Sequence, residues 1–159
     1  INAALTIGKY FDVDAIAIKD ALESYVPANN RSQILYNGSN EIILDAYNAN
    51  PSSMAVAISN FLQLEKPSKI MVLGDMFELG AESHEEHKAL VDSLENEDNV
   101  QCYFVGKAFN ECKKQKVNFH FFETFEMFSE AINGNTFENN TILIKGSRGM
   151  ALERTLEYI

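Results

Sequence analysis

Apolar residues along this chain fall into short continuous runs separated by stretches with helical spacing. That pattern fits strands buried on both faces alternating with the helices that cover them. The strand-like runs are Gln33–Tyr36, Glu41–Asp45, Lys69–Gly74, Val100–Val105, Phe119–Phe122 and Thr141–Lys145. Helical spacing covers Ser52–Leu64, Ser83–Glu95, Ala108–Lys114, Phe125–Ile132 and Ala151–Tyr158, with Ser53 and Ser83 as expected caps. Asn37-Gly38 between the first two runs predicts a hairpin. The remaining strand–helix alternation predicts an α/β fold: an open, mostly parallel six-stranded sheet with helices on both faces and one hairpin-type edge. Two further helices precede the sheet. One spans Ile1–Tyr10, starts on an apolar residue without a cap, and reads as an element cut from something larger; Asp14 caps the other, whose apolar side carries Ile16, Ile18, Leu22 and Tyr25. Pro27 and Asn29-Asn30-Arg31 read as a linker.

With 159 residues, 46% hydrophobic and 23% charged, the chain has the size and balance of one globular domain with a short extra piece. Its net charge of −10 argues against nucleic acid or an anionic membrane as partner, although a few local cations still suffice for an anionic ligand. Cys102 and Cys112 are too few for a disulfide framework, and no zinc-type spacing occurs. No apolar run is long enough to span a bilayer and no signal peptide is visible, so a reducing cytoplasm is the expected setting.

Chemistry gathers where apolar runs end. In an open α/β sheet, ligands bind beyond the carboxyl ends of strands, where helix N-termini offer free N–H groups to anions. Ile42-Ile43-Leu44 ends in Asp45, which can accept ribose hydroxyls, hold a water on a metal or orient a cation, or else simply cap the next turn. Asn48 and Asn50 in the following loop are turn formers or neutral donor–acceptors for phosphate and peptide groups, and Pro51 suits a first helical turn. Lys145-Gly146-Ser147-Arg148-Gly149 is sharper: two glycines admit a close ligand, and Ser147 and Arg148 can hold a carboxylate or phosphate. The alternative is a strand-to-helix turn with a solvated arginine. Asp75 and Glu78 read as turn caps rather than metal ligands. His84 and His87 share a helix face without the HExxH pattern and read as exposed. Neither a Walker-type loop nor GxGxxG is present.

Several of these segments, taken together and in order, resemble the Mur ligases. Asp45–Met54 (DAYNANPSSM) is similar to the signature loop of the MurF branch, which adds D-alanyl-D-alanine to UDP-N-acetylmuramoyl-tripeptide. Val72–Gly80, Ser83–His87 and Ile144–Met150 match further runs, Asn29–Gln33 resembles the entry into the family's third domain, and Ile1–Val13 resembles the end of its central domain. The likeness spans nearly the whole chain.

The resemblance implies an ATP-dependent, ADP-forming amide ligase of peptidoglycan synthesis with three domains. The first binds the UDP-sugar, the central one carries the P-loop, the magnesium ligands and a carbamylated lysine, and the Rossmann-like third closes over ATP and the incoming dipeptide. Residues 1–26 would be the tail of the central domain with the linker, and 27–159 the third domain, inactive alone. On the nucleotide side the resemblance implies Arg31, Asp45 and Asn48; on the substrate side it implies Asn50, Lys145, Ser147 and Arg148, the last three receiving the dipeptide carboxylate. ATP and Mg2+ would sit mainly on the central domain, with UDP-N-acetylmuramoyl-tripeptide and D-alanyl-D-alanine as substrates and the other two domains as partners. Two alternatives are the third domain of a sister ligase of the folylpolyglutamate synthase kind and a non-catalytic α/β module that binds an anion or peptide.

Overall fold

The computed structural model describes residues 1–25 and 29–159. The expected linker residue Pro27, and the boundary placed between 26 and 27, lie outside the described residues. A six-stranded sheet forms in the order β1-β2-β6-β3-β4-β5. Its strands are β1 (Gln33–Asn37), β2 (Asn40–Asp45), β3 (Lys69–Gly74), β4 (Val100–Val105), β5 (Phe119–Phe122) and β6 (Thr141–Lys145). Among the described residues, only the β1–β2 hairpin at the edge pairs antiparallel; the other four pairings are parallel.

Strand periodicity of two sorts the side chains between two cores. Met71, Leu73, Cys102, Phe104 and Leu143 face α3 (Pro51–Leu62), α4 (Ser83–Ser93) and α5 (Lys107–Glu111). Their neighbours Ile70, Val72, Val105, Ile142 and Ile144 face α6 (Phe125–Ile132) and the carboxy-terminal segment. Full burial of a side chain such as Leu73 or Ile144 contributes roughly 1.5–3 kcal/mol, so a one-residue slip in any strand would be costly. α6 is fixed at its start by Thr124, whose hydroxyl accepts the Met127 N–H at 3.2 Å, and it buries Phe125, Phe128 and Ile132.

Three local expectations need correcting. Asn50, not Ser53, caps α3: its side chain accepts the Ser53 N–H at 2.8 Å while the Asn50 N–H donates to Ser53 Oγ, a reciprocal capping box behind Pro51. Ser83 is the first residue of α4 and makes no cap bond to its backbone. The carboxy-terminal segment is not an α-helix. Ala151 takes a left-handed conformation (φ 48°) that separates a 3₁₀ turn at Arg148–Met150 from a 3₁₀ helix at Leu152–Glu157.

Ahead of the sheet, α1 (Asn2–Tyr10) and α2 (Ala15–Glu23) form a helical pair, with Asp14 capping α2 through the N–H groups of Ile16 and Ala17. They touch where Gly8 lies against Ile18, close enough that a Cβ on Gly8 would fall 2.7 Å from its Cδ1. Neither helix buries a residue, and Ile7, Tyr10, Phe11 and Ile16 are exposed.

Candidate functional site

The order of the strands reverses between β3 and β6. After β3 the chain continues to the first face, after β6 to the second, and the crevice left between two such loops is where an open α/β sheet ordinarily takes its ligand. Here the chain fills that crevice itself. A Cβ on Gly146 would lie 2.8 Å from Leu152 Cδ1 and 3.0 Å from Gly74 Cα, and one on Gly74 would meet the same leucine at 2.7 Å. The Ser147 N–H donates to the Asp75 carbonyl at 3.2 Å, and the Phe77 N–H donates to Ser147 Oγ at 2.8 Å. A Cβ on Gly149 would strike the Phe77 ring at 2.5 Å. The glycines of this loop therefore admit neighbouring protein, where the sequence suggested a ligand. Ser147 is 3% exposed and ties the loop after β6 to the loop after β3.

The remaining residues assemble at the rim beyond β2 and β6. Asp45 and Lys145 are register partners at the ends of these strands. Lys145 is 2% exposed, and its ammonium donates to Asp45 Oδ2 at 2.5 Å and to the Asn48 carbonyl at 3.2 Å. This placement differs from the expected contact with a dipeptide carboxylate: both interactions hold the ammonium inside the protein. Asp45 Oδ1 accepts the Ser32 N–H at 3.0 Å, so both its oxygens are engaged as well. Asn50, expected to meet substrate, uses its side-chain oxygen on Ser53 and on the Ser52 hydroxyl at 3.0 Å. With Pro51 lacking an N–H, the start of α3 is closed on itself rather than open to an anion. Asn48 is exposed at the loop tip.

What stays open is cationic. Arg31 and Arg148 are both exposed and both lie over the ring of Tyr47, their guanidinium carbons 3.8 Å and 5.2 Å from its centroid. The Tyr47 N–H donates to the Asn30 carbonyl at 3.1 Å, which fixes the ring beside the Arg31 loop. Since Lys145 neutralises Asp45, two guanidinium groups dominate the local charge, and planar forks of this kind suit carboxylate or phosphate. Tyr47 lies in the Asp45–Met54 run but was not singled out from the sequence. An aromatic residue inside a run of small and amide residues was the available signal.

The other strand-end groups serve structure. Asp75 caps α5 from a distance, its carboxylate accepting the Ala108 and Phe109 N–H groups at 3.0 Å each, in line with the turn role expected for it. Glu78 adopts φ 65° in the same loop. His87 is fully buried, not exposed as its acidic surroundings suggested. Its Nε2 accepts the Met76 N–H at 2.9 Å, and its Nδ1 lies 2.6 Å from the Ser83 carbonyl, which fixes the Nδ1–H tautomer. His84 on the same helix is exposed. Burial pushes the Cys102 thiol up to about 12 and raises that of Cys112, so neither supplies a thiolate at neutral pH.

Compared with known proteins, residues 30–148 match the family described as Mur ligase, glutamate ligase domain, a stretch that takes in all seven site residues named from the sequence. The chain belongs to the Mur ligase family. The UDP-N-acetylmuramoyl-tripeptide–D-alanyl-D-alanine ligase of Bacillus subtilis is 33% identical over 165 residues, which cover 98% of this chain and 36% of that protein. The crystal structure of MurF from Acinetobacter baumannii superposes with a TM-score of 0.77 at 29% identity, covering 98% of this chain and 35% of that one. MurF from Thermotoga maritima in complex with ADP shares the fold, with a TM-score of 0.77 at 23% identity over 97% of this chain and 35% of that one. This Mur ligase chain thus spans about a third of the length of the relatives it matches, and it corresponds to their carboxy-terminal domain.

Proposed function

We propose that this Mur ligase domain is the acceptor-binding third of an ATP-dependent ligase that adds D-alanyl-D-alanine to UDP-N-acetylmuramoyl-tripeptide in the cytoplasm. The observation that carries the proposal is the pair of exposed guanidinium groups, Arg31 and Arg148, gathered over Tyr47 at the rim of the sheet. In the reaction, the tripeptide carboxylate attacks the γ-phosphorus of ATP and ADP leaves. The dipeptide amine then attacks the resulting acyl phosphate, and the tetrahedral intermediate expels phosphate to form the amide. Chemistry of this kind depends on positioning and on compensating negative charge. Arg148 would hold the dipeptide carboxylate through two parallel hydrogen bonds, and Arg31 would lie on the nucleotide side. Asn48, exposed between them in sequence, would face the transferring phosphoryl group. Asp45, Lys145, Ser147 and Asn50 would act as supports: the first two pin the loop to the sheet, Ser147 joins two loops, and Asn50 starts α3.

Magnesium is assigned to the central domain, as the family resemblance implies. Residues 1–26 are read as the tail of that central domain. The exposed apolar side chains of α1 and α2, with no buried residue in either, support this. No helix among the described residues is long and apolar enough to cross a membrane.

The test is phosphate release by the full-length ligase, with UDP-tripeptide and ATP fixed and D-alanyl-D-alanine varied. Arg148→Ala should raise the dipeptide KM by about 10- to 100-fold, the value of a charge-assisted hydrogen-bonded contact, with the KM for ATP little changed. An unchanged dipeptide KM would make Arg148 a solvated turn residue and move the acceptor site elsewhere.

A further inference from the structure

We infer that Tyr47 is a positioning residue that braces Arg31 and Arg148 on one aromatic ring and so couples the nucleotide side of the site to the dipeptide side. The inference rests on the reading of those two arginines given above. Six contacts support it. Both guanidinium groups lie over the ring, at 3.8 Å and 5.2 Å. The ring's own backbone is tied to the Arg31 loop through the Tyr47 N–H and the Asn30 carbonyl. The loop that carries Tyr47 is tied to β6, and hence to the stretch leading to Arg148, by Lys145 reaching Asp45 and the Asn48 carbonyl. Asp45 in turn accepts the Ser32 N–H, closing the connection on the far side of Arg31.

An exposed arginine samples many rotamers, and each one that does not point at the ligand lowers apparent affinity by its share of the population. A ring that holds the guanidinium in place removes part of that loss before binding. Two arginines from distant parts of the chain share a single ring, so disturbing the ring should loosen both. The ring face makes the contact, so the phenolic hydroxyl is dispensable.

Steady-state kinetics of the full-length ligase test the assignment with Tyr47→Phe, Tyr47→Leu and Tyr47→Leu combined with Arg148→Ala. Tyr47→Phe should match wild type in both KM values. Tyr47→Leu should raise the KM for ATP and for D-alanyl-D-alanine by about 2- to 5-fold each, the range expected for an exposed cation–π contact, and leave kcat nearly unchanged. In the Arg148→Ala background, Tyr47→Leu should add nothing to the dipeptide KM, because its effect there runs through the missing arginine. A loop-folding defect would instead lower kcat and act equally in both backgrounds. If Arg148→Ala raises the dipeptide KM and Tyr47→Leu does not, or if the two effects simply multiply, the coupling role is wrong while the site stands. A loss in Tyr47→Phe as large as that in Tyr47→Leu would assign the role to the hydroxyl and also overturn the inference. An Arg148→Ala enzyme with wild-type dipeptide KM removes the site reading itself.

Discussion

Replacing Lys145 with methionine should lower the unfolding free energy by about 3 kcal/mol, the low end of the cost of breaking a buried ion pair. The substitution keeps the aliphatic stem and removes the charge. Asp45 is then left at the end of β2, its side chain 19% exposed, with the Ser32 N–H on one oxygen and, among the described residues, no partner on the other. The Asn48 carbonyl also loses its donor. The low end applies because Asp45 retains some contact with water. Equilibrium urea denaturation should show a lower midpoint with an unchanged slope. Adding Asp45→Asn should recover most of the loss, since the uncompensated carboxylate causes it. A loss below about 1 kcal/mol, or a double variant no better than the single one, would mean that the pair is solvated and does not anchor the loop.

Gly106→Ala should be more damaging still. Gly106 has φ 132°, which L side chains rarely adopt, and a Cβ there would lie 2.2 Å from Asp75 Cγ and 2.3 Å from its Oδ2. That carboxylate cannot retreat without releasing the Ala108 and Phe109 N–H groups it caps. Backbone strain of about 1–3 kcal/mol thus adds to a lost cap of about 1–2 kcal/mol and to displaced packing around Phe109, which is fully buried. The expected result is a chain largely unfolded at room temperature, or one with a sharply lowered urea midpoint by circular dichroism. Asp75→Ala should cost only the cap. The Gly106→Ala, Asp75→Ala double variant should be more stable than Gly106→Ala alone, since the group in the way is gone. Equal stability for Gly106→Ala and wild type would mean that the turn relaxes freely.

β3 and β6 were legible because each is a nearly continuous apolar run with both faces covered, and β4 and β5, though interrupted by Gln101 and His120, also begin and end where the hydrophobic pattern does. Helix ends were less so. α3 starts at Pro51 because Asn50 and Ser53 cap each other, a reciprocal arrangement that a single cap residue does not announce. The final helical pattern became 3₁₀ because Ala151 turns left-handed, and alanine gives no warning of that. At the site, Arg31 and Arg148 were legible as scarce cations at strand ends in an acidic chain. Lys145 was singled out for the same reason, but sequence does not reveal that its register partner across the sheet is Asp45. His87 was misread because its partners, the Met76 N–H and the Ser83 carbonyl, are backbone groups without a sequence signature.

The plugged crevice between β3 and β6 has a wider bearing. Leu152 sits in the place where this fold would otherwise cradle a molecule, so the crevice between β3 and β6 is closed to one. The groups proposed to face ligand, Arg31 and Arg148, stand exposed on an outer lip. Such a lip is half of a vice: it grips only what a second jaw presses against it. Affinity measured on this chain alone should therefore be poor for every substrate. Under the proposed function, selectivity would arise at the moment two bodies meet, and the interval for which they stay together would limit how long an activated intermediate is shielded from water.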